Sequence, residues 1–109
     1  MNRGEIRYYT FKAPDKRRPV LILTRDSAIP HLGEVTIAAI TSTIRPVPSQ
    51  VLISQADGMP NACAINLYHI HTVQKDKIGK LITKLSIEKM QRVKKALIFA
   101  LGFDDLLLN

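Results

Sequence analysis

The feature that most constrains the fold is a series of short runs rich in β-branched and aromatic residues, each bounded by turn signals. Such a series is typical of a small antiparallel β protein. The run PVLILT (19–24) is apolar throughout, which predicts a central strand with Pro19 at its first position. GEIRYYTF (4–11) alternates apolar and polar residues, which predicts a strand with one solvent-facing side. Further strands are expected at 34–43, 50–54 and 62–73.

Two breaks and one change of period organise the rest of the chain. RPVPS (45–49) interrupts the strands because its prolines cannot donate to a ladder, and ADGMPN (56–61) has the composition of a turn. From Ile87 the apolar residues recur at helical spacing, with Ser86 as the N-cap and Gly102 just past the end. We therefore predict a mainly β fold, a compact antiparallel barrel with one C-terminal helix, and a single domain over 1–109.

The charge distribution points to a polyanionic partner. The net charge is +7, and the lysines and arginines are concentrated at 1–25 and 75–109, on either side of a mildly acidic middle. Nucleic acid is the usual partner of such a chain, although a solvated basic surface explains the charge equally well. With a single cysteine, no membrane-length apolar run and no apolar signal region at the N-terminus, we expect a cytoplasmic protein without disulfides.

The stretch KRRPVLILTRD (16–26) presses basic residues against a buried strand. The proline biases Arg18 toward an extended backbone, so we expect its guanidinium to be held at the rim of the sheet. That planar fork matches the geometry of phosphate oxygens. The alternative is a surface arginine at a strand start, which contributes little.

The stretch ITSTIR (40–45) ends the third predicted strand with three hydroxyls and an arginine. Thr41 and Thr43 are expected on one face of the strand and Ser42 on the other. Hydroxyl groups can donate to phosphate oxygens, and Arg45 adds charge where the chain turns. The alternative is the ordinary preference of threonine for strands.

The stretch LYHIHTV (67–73) places His69 and His71 on one predicted strand face. Histidine is the usual proton carrier near neutral pH, and with His31 the two could also hold zinc, or both could be structural. No carboxylate or cysteine has a helpful spacing, so we predict no metal site. The sequence also has no glycine-rich phosphate loop and no acidic cluster for magnesium, so we predict no cofactor. A nuclease of this composition must use the 2′-hydroxyl of RNA as its nucleophile.

The order of four segments resembles the MazF/PemK family of toxin–antitoxin endoribonucleases. These segments are RGEI (3–6), RRPVLILT (17–24), VTIAAITSTIR (35–45) and HTV (71–73), and the resemblance extends over nearly the whole chain. It implies an SH3-like barrel that forms homodimers, pairs with a cognate MazE-like antitoxin, and binds DNA as the antitoxin complex. It also implies metal-independent cleavage of single-stranded RNA (mRNA, tRNA or rRNA), leaving 2′,3′-cyclic phosphate and 5′-hydroxyl ends.

The resemblance also assigns residues. Arg18 and Thr41 fall on the catalytic arginine and hydroxyl of the family. The family's S-E-Q segment is replaced by the shorter APDK (13–16), and Tyr68 stands where an acidic residue is common. Proton transfer would then fall to His69 or Asp15, or catalysis would rest on Arg18 and Thr41 alone. The residues expected to bind RNA are Lys16, Arg17, Ser42, Thr43 and Arg45.

Two other functions fit the same resemblance. One is a CcdB-like toxin that binds gyrase, and the other is an inactive RNA-binding relative; the arginine–threonine pair and the basic surface favour RNA cleavage. The leucines of FDDLLLN (103–109) predict a twofold homodimer. In that dimer, copies of Arg17, Arg18 and Arg45 are expected to line a groove for RNA, which the acidic tail of the antitoxin would also occupy.

Overall fold

The computed structural model describes residues 1–12 and 16–106. In these residues, six strands form one antiparallel sheet in the order β4-β5-β3-β2-β1-β6, followed by one α-helix. The predicted mainly β barrel with a C-terminal helix is confirmed, as a curled half-barrel. No helix in the same residues is long and apolar enough to cross a membrane. The element bounds are β1 Glu5–Thr10, β2 Arg17–Ile22, β3 Glu34–Thr41, β4 Gln50–Ile53, β5 Cys63–Gln74, β6 Leu81–Lys84 and α1 Ile87–Leu101.

The curled sheet carries a hydrophobic core on each face. The first core contains Leu21 and Ile65 and is covered by α1, whereas the second core contains Val20 and Ile37 and is capped by aromatic rings. Consecutive residues of β2 therefore enter opposite cores, which explains why its run is apolar throughout. The prediction that one side of the first strand faces solvent was wrong, because Glu5 is buried and Tyr9 packs against the second core.

The two edge strands of the sheet, β4 and β6, approach each other without forming a ladder. The Thr83 hydroxyl of β6 donates to the carbonyl of Asp57, just after β4, over 3.0 Å. The Lys89 ammonium lies 3.6 Å from the Asp57 carboxylate and donates to the Leu52 carbonyl over 3.3 Å. Gly58 makes this approach possible, since its backbone is left-handed at φ +92°. Side chains thus close the half-barrel.

The helix agrees with its sequence signals. The Ser86 hydroxyl accepts a hydrogen bond from the Lys89 amide, and Gly102 ends the helix with φ +75°. Val93 and Ala96 are buried against the first core. Ile87 is 76% exposed, so the buried stripe begins one turn later than expected.

The strands differ from the prediction in several of their bounds and in one strand that was missed. Pro19 is the third residue of β2, which it can be because residues 17–19 pair only with β1 and the ladder to β3 begins at Val20. The third strand ends at Thr41, two residues early, where the chain turns. The short edge strand β6 was missed, since its four residues give little periodicity.

Candidate active site

The register of β2 and β3 brings Arg18 and Thr41 to the same place. The last pair of this ladder is Val20 with Ala39. Continuing the register by two residues sets Arg18 opposite Thr41. Both side chains leave the sheet on the face of Val20 and Ala39, because alternate residues share a face. The ladder itself ends at Val20 and Ala39, so Arg18 and Thr41 lie just beyond it, on the same face and at the same end of the sheet.

Other strands extend this arrangement into a row across the sheet, here called the rim row. Arg18 pairs with Tyr9 of β1, and Thr41 pairs with Ala64 of β5. Asn66 lies in the adjacent row, where it pairs with Ala39. One face at this end of the sheet therefore presents a guanidinium, a hydroxyl, a phenol and an amide.

Hydrogen bonds fix the Thr41 side chain and the loop that follows it. The Thr43 amide donates to Thr41 Oγ1 over 3.1 Å, which leaves the hydroxyl proton free for another acceptor. Gln50 accepts from the Arg45 amide at 2.8 Å and donates to the Thr43 carbonyl at 3.3 Å. Ser42 and Thr43 therefore lie in a turn, and the expectation that they alternate on a strand was wrong.

The basic residues beside Arg18 take different directions. Arg17 is its neighbour on an extended strand, so it points to the opposite face, where its guanidinium carbon lies 4.0 Å from the centre of the Tyr8 ring. Lys16 is exposed just before β2, and Arg45 is exposed in the loop after β3. Within one protomer, only Arg18 of these four residues belongs to the rim row.

A bulge in β5 separates the two histidines. Ala38 pairs with Ile70 but Ala39 pairs with Asn66, so three residues, 67–69, have no partner in β3. His69 Nδ1 lies 3.4 Å from the Asn66 amide nitrogen, whereas His71 packs edge-on against Phe11, with ring centroids 5.3 Å apart.

The prediction of a shared histidine face assumed regular alternation, and it stays a prediction because His69 has no partner in β3. His31 lies apart, in a short 3-10 turn at 29–31. Throughout residues 1–12 and 16–106, no three histidine, cysteine, aspartate or glutamate side chains are grouped so as to hold a metal ion. Asp15 lies outside the described residues.

Cys63 is not placed as a nucleophile. The thiol is buried in the first core, and this burial, with the nearby Asp57 carboxylate, raises its pKa. A raised pKa keeps the thiol protonated and therefore unreactive.

Sequence reasoning missed Asn66 and Gln50. Each amide adjoins an apolar run, Gln50 just before VLI (51–53) and Asn66 just after ACAI (62–65), and this was the signal that could have identified them. Their positions beside Thr41 follow from pairing between distant strands, which no local pattern shows.

Comparison with known proteins identifies the family of this chain. Residues 2–101 match the family described as PemK-like, MazF-like toxin of type II toxin–antitoxin system. Endoribonuclease MazF3 of Mycobacterium tuberculosis is 32% identical over 83% of this chain and 87% of its own length. The solved structure of the M. tuberculosis toxin MazF-mt6 has a TM-score of 0.82 at 30% identity, covering 90% of this chain and 96% of the other.

A second solved structure, an endoribonuclease in complex with its cognate antitoxin from a mycobacterial species, has a TM-score of 0.83 at 24% identity. It covers 94% of this chain and 95% of the other, and supports the fold. The chain belongs to the PemK-like, MazF-like toxins of type II toxin–antitoxin systems. Within that family it is a MazF-type endoribonuclease. The resemblance found in its sequence is confirmed.

Proposed function

We propose that this endoribonuclease cleaves single-stranded RNA without a metal ion, with the scissile phosphate bound between Arg18 and Thr41. The observation that carries the proposal is the β2–β3 register, which, continued past its last pair, brings both residues to one face at the same end of the sheet. The 2′-hydroxyl attacks the adjacent phosphorus and the 5′-oxygen leaves. The products are a 2′,3′-cyclic phosphate and a 5′-hydroxyl.

Arg18 stabilises the charge that develops on the phosphate. Its planar fork can donate two hydrogen bonds to the non-bridging oxygens, and it is anchored on a strand whose next residues are buried. A preorganised donor of this kind usually supplies the largest single contribution to catalysis.

Thr41 donates its hydroxyl proton to the same phosphate. Thr41→Val retains the β-branched shape and removes only the donor, so we expect cleavage to slow by a factor of about 10²–10³. Thr36→Val serves as a control on the same strand, since Thr36 lies on the other face, five residues from the rim. An unchanged rate for a folded Thr41→Val protein, measured in single turnovers, would leave Thr41 with only a strand-forming role.

His69 is proposed to transfer a proton in place of the missing carboxylate. Its contact with Asn66, which lies next to the rim row, supports this role. His69→Gln retains hydrogen bonding but cannot act as a general acid or base, so single-turnover cleavage should slow by a factor of about 10²–10⁴. If the folded mutant cleaves at the wild-type rate, His69 has no part in proton transfer.

The function is tested by incubating the purified chain with mixed single-stranded RNA in EDTA. We expect cleavage to continue, and the new 5′ ends to accept phosphate from a kinase without prior phosphatase treatment. Loss of cleavage in EDTA, restored by a divalent metal, would contradict the mechanism. Binding of RNA without cleavage would identify an inactive relative, and inhibition of gyrase without cleavage would identify a CcdB-like toxin.

The RNA strand is proposed to contact Lys16, Arg17, Ser42, Thr43 and Arg45. Contacts between the three cationic side chains and phosphates make binding salt-dependent. For a single strand, each contact that is removed reduces the steepness of the plot of log K against log salt by about 0.7. Alanine replacement of Arg45 should therefore reduce this slope. An unchanged slope would remove Arg45 from the RNA path.

We further propose a twofold homodimer in which residues 1–109 act as one toxin domain. Leu101, Phe103 and Leu106 are 51%, 56% and 59% exposed at the end of α1, which leaves an apolar surface without a partner. The last leucines of the predicted dimer segment lie outside the described residues. Sedimentation at micromolar concentration should show a dimer, and a monomer there would contradict the assembly.

The proposed partner is a MazE-like antitoxin, produced with the toxin in the cytoplasm. The matched family is one of toxin–antitoxin toxins, and the net charge of +7 favours an acidic partner segment. An acidic, disordered tail that folds over the arginines would exclude RNA, and the complex would bind DNA. RNA and the antitoxin should compete, and simultaneous binding of both would refute a shared groove.

A further inference from the structure

A cleft with a volume of about 380 Å³ opens beside Asn66. One wall is the loop at 45–49, the second is the bulge of β5, and the third is the last turn of α1. These segments are distant in the sequence and meet only in the folded protein. The cleft adjoins the rim row but is not part of it.

The walls of the cleft include three exposed apolar side chains. Tyr68 is 60% exposed, Val47 is 41% exposed and Phe99 is 40% exposed. Aromatic rings left in water at the mouth of a cleft are typical of binding sites. Tyr68 is held away from the sheet because it lies in the bulge, where β5 has no partner in β3.

The polar groups of the cleft are oriented before any ligand binds. Asn66 Oδ1 accepts the Tyr68 amide proton over 3.1 Å, which fixes the direction of the Asn66 amide. Its second lone pair and an amide proton are available to a ligand. Arg45 contributes an exposed guanidinium to the same cleft. The cleft therefore combines ring surfaces with a carboxamide and a cation.

The distance to the proposed scissile phosphate is short. Asn66 pairs with Ala39, which lies two residues before Thr41 on β3. The diagonal distance across one strand spacing and along two residues of a strand is about 8 Å. A nucleotide next to the scissile phosphate can therefore reach the cleft.

We propose that this cleft binds one unpaired purine base of the RNA substrate, stacked on Tyr68 and Phe99. Base-on-aromatic stacking is the usual way in which single strands are held. The carboxamide of Asn66 can pair with the N6/N7 edge of adenine, and the guanidinium of Arg45 with the O6/N7 edge of guanine. Tyr68 is then a specificity-determining residue. The inference rests on the proposed ribonuclease activity.

The first test compares cleavage of a randomised single-stranded RNA library by wild type and variants. Wild type should favour a purine at one position near the cut. Tyr68→Ala and Phe99→Ala should each lower kcat/KM on the favoured sequence by about tenfold to a hundredfold and weaken that preference, whereas Tyr68→Phe should keep both. Leu81→Ala is the matched control, since Leu81 is similarly exposed but lies on the opposite edge strand. An unchanged preference in folded Tyr68→Ala would overturn the proposal.

The second test measures stacking directly. In an Arg18→Ala background, a set of short single-stranded RNAs, each carrying one 2-aminopurine at a different position, should include one that loses fluorescence on binding, and adding Tyr68→Ala should restore it. Equal quenching with and without Tyr68 would overturn the proposal. If wild type cuts no RNA, the proposed function fails, while this binding measurement still decides the cleft. If Tyr68→Ala or Phe99→Ala converts a dimer to monomers and Leu81→Ala does not, the cleft is a subunit interface and the proposal falls.

Discussion

Replacing Arg18 with alanine is expected to lower the rate of RNA cleavage by a factor of about 10²–10³. The guanidinium is the positive group placed opposite Thr41, and nothing else in the rim row can neutralise charge on a phosphate. Because Arg18 is exposed at the start of β2, its removal should leave the fold intact. Single-turnover cleavage at saturating RNA measures the chemical step, and thermal unfolding checks the fold.

Two further variants make this experiment decisive. Arg25→Ala removes the same charge from an exposed position beyond the other end of β2, so it should leave the rate nearly unchanged. Arg18→Lys retains the charge without the planar fork and should fall between wild type and alanine. A folded Arg18→Ala protein with a rate like that of Arg25→Ala would remove Arg18 from the mechanism.

Replacing Gly58 with alanine is expected to lower the free energy of unfolding by about 2–5 kcal/mol. A left-handed backbone costs a non-glycine residue about 1–2 kcal/mol, and overpacking adds about 1–3 kcal/mol. The added Cβ would overlap the Thr83 side chain, whose own Cβ lies only 2.8 Å away. Since Thr83 donates the hydrogen bond that closes the half-barrel, the strain cannot be relieved without opening that contact.

Gly33→Ala is the matched control for Gly58→Ala. No atom lies within 4 Å of the Cβ that would be added at Gly33, and the backbone there is not left-handed. We expect a change within about 1 kcal/mol. Urea unfolding of both variants measures the difference, and similar stabilities would show that the Gly58 contact is not strained.

The sequence supports those conclusions that depend on local pattern. The strand beginning at PVLILT and the helix from Ile87 to Leu101 carry their own periodicity and end signals, so both were predicted from their residues alone. Arg18 and Thr41 were identified because each lies where an apolar run meets a polar segment. Their juxtaposition across two strands was implied only by the family resemblance.

The remaining features depend on contacts between distant residues. Glu5 is buried because the sheet has a core on each face, and its pairing with Arg7 at 2.7 Å satisfies the charge. The bulge of β5 is a difference in register between two strands, so regular alternation could not be assumed for His69 and His71. The contact of Thr83 with Asp57 joins opposite edges of the sheet, which no sequence window includes.

The pairing of β1 with β6 has a consequence for the synthesis of the toxin. Glu5 pairs with Lys84, so the outer edge of the first strand must wait for the last strand, an interval of about 4–16 s at 5–20 residues per second. Until then the outer edge of β1 is unpaired, and an unpaired edge is a template for an extended segment of another chain. We expect ribosome-bound chains that end before Leu81 to be cleaved rapidly by protease, and protection of these chains would contradict this order of events. An antitoxin translated at the same time can therefore reach the toxin before its sheet is complete.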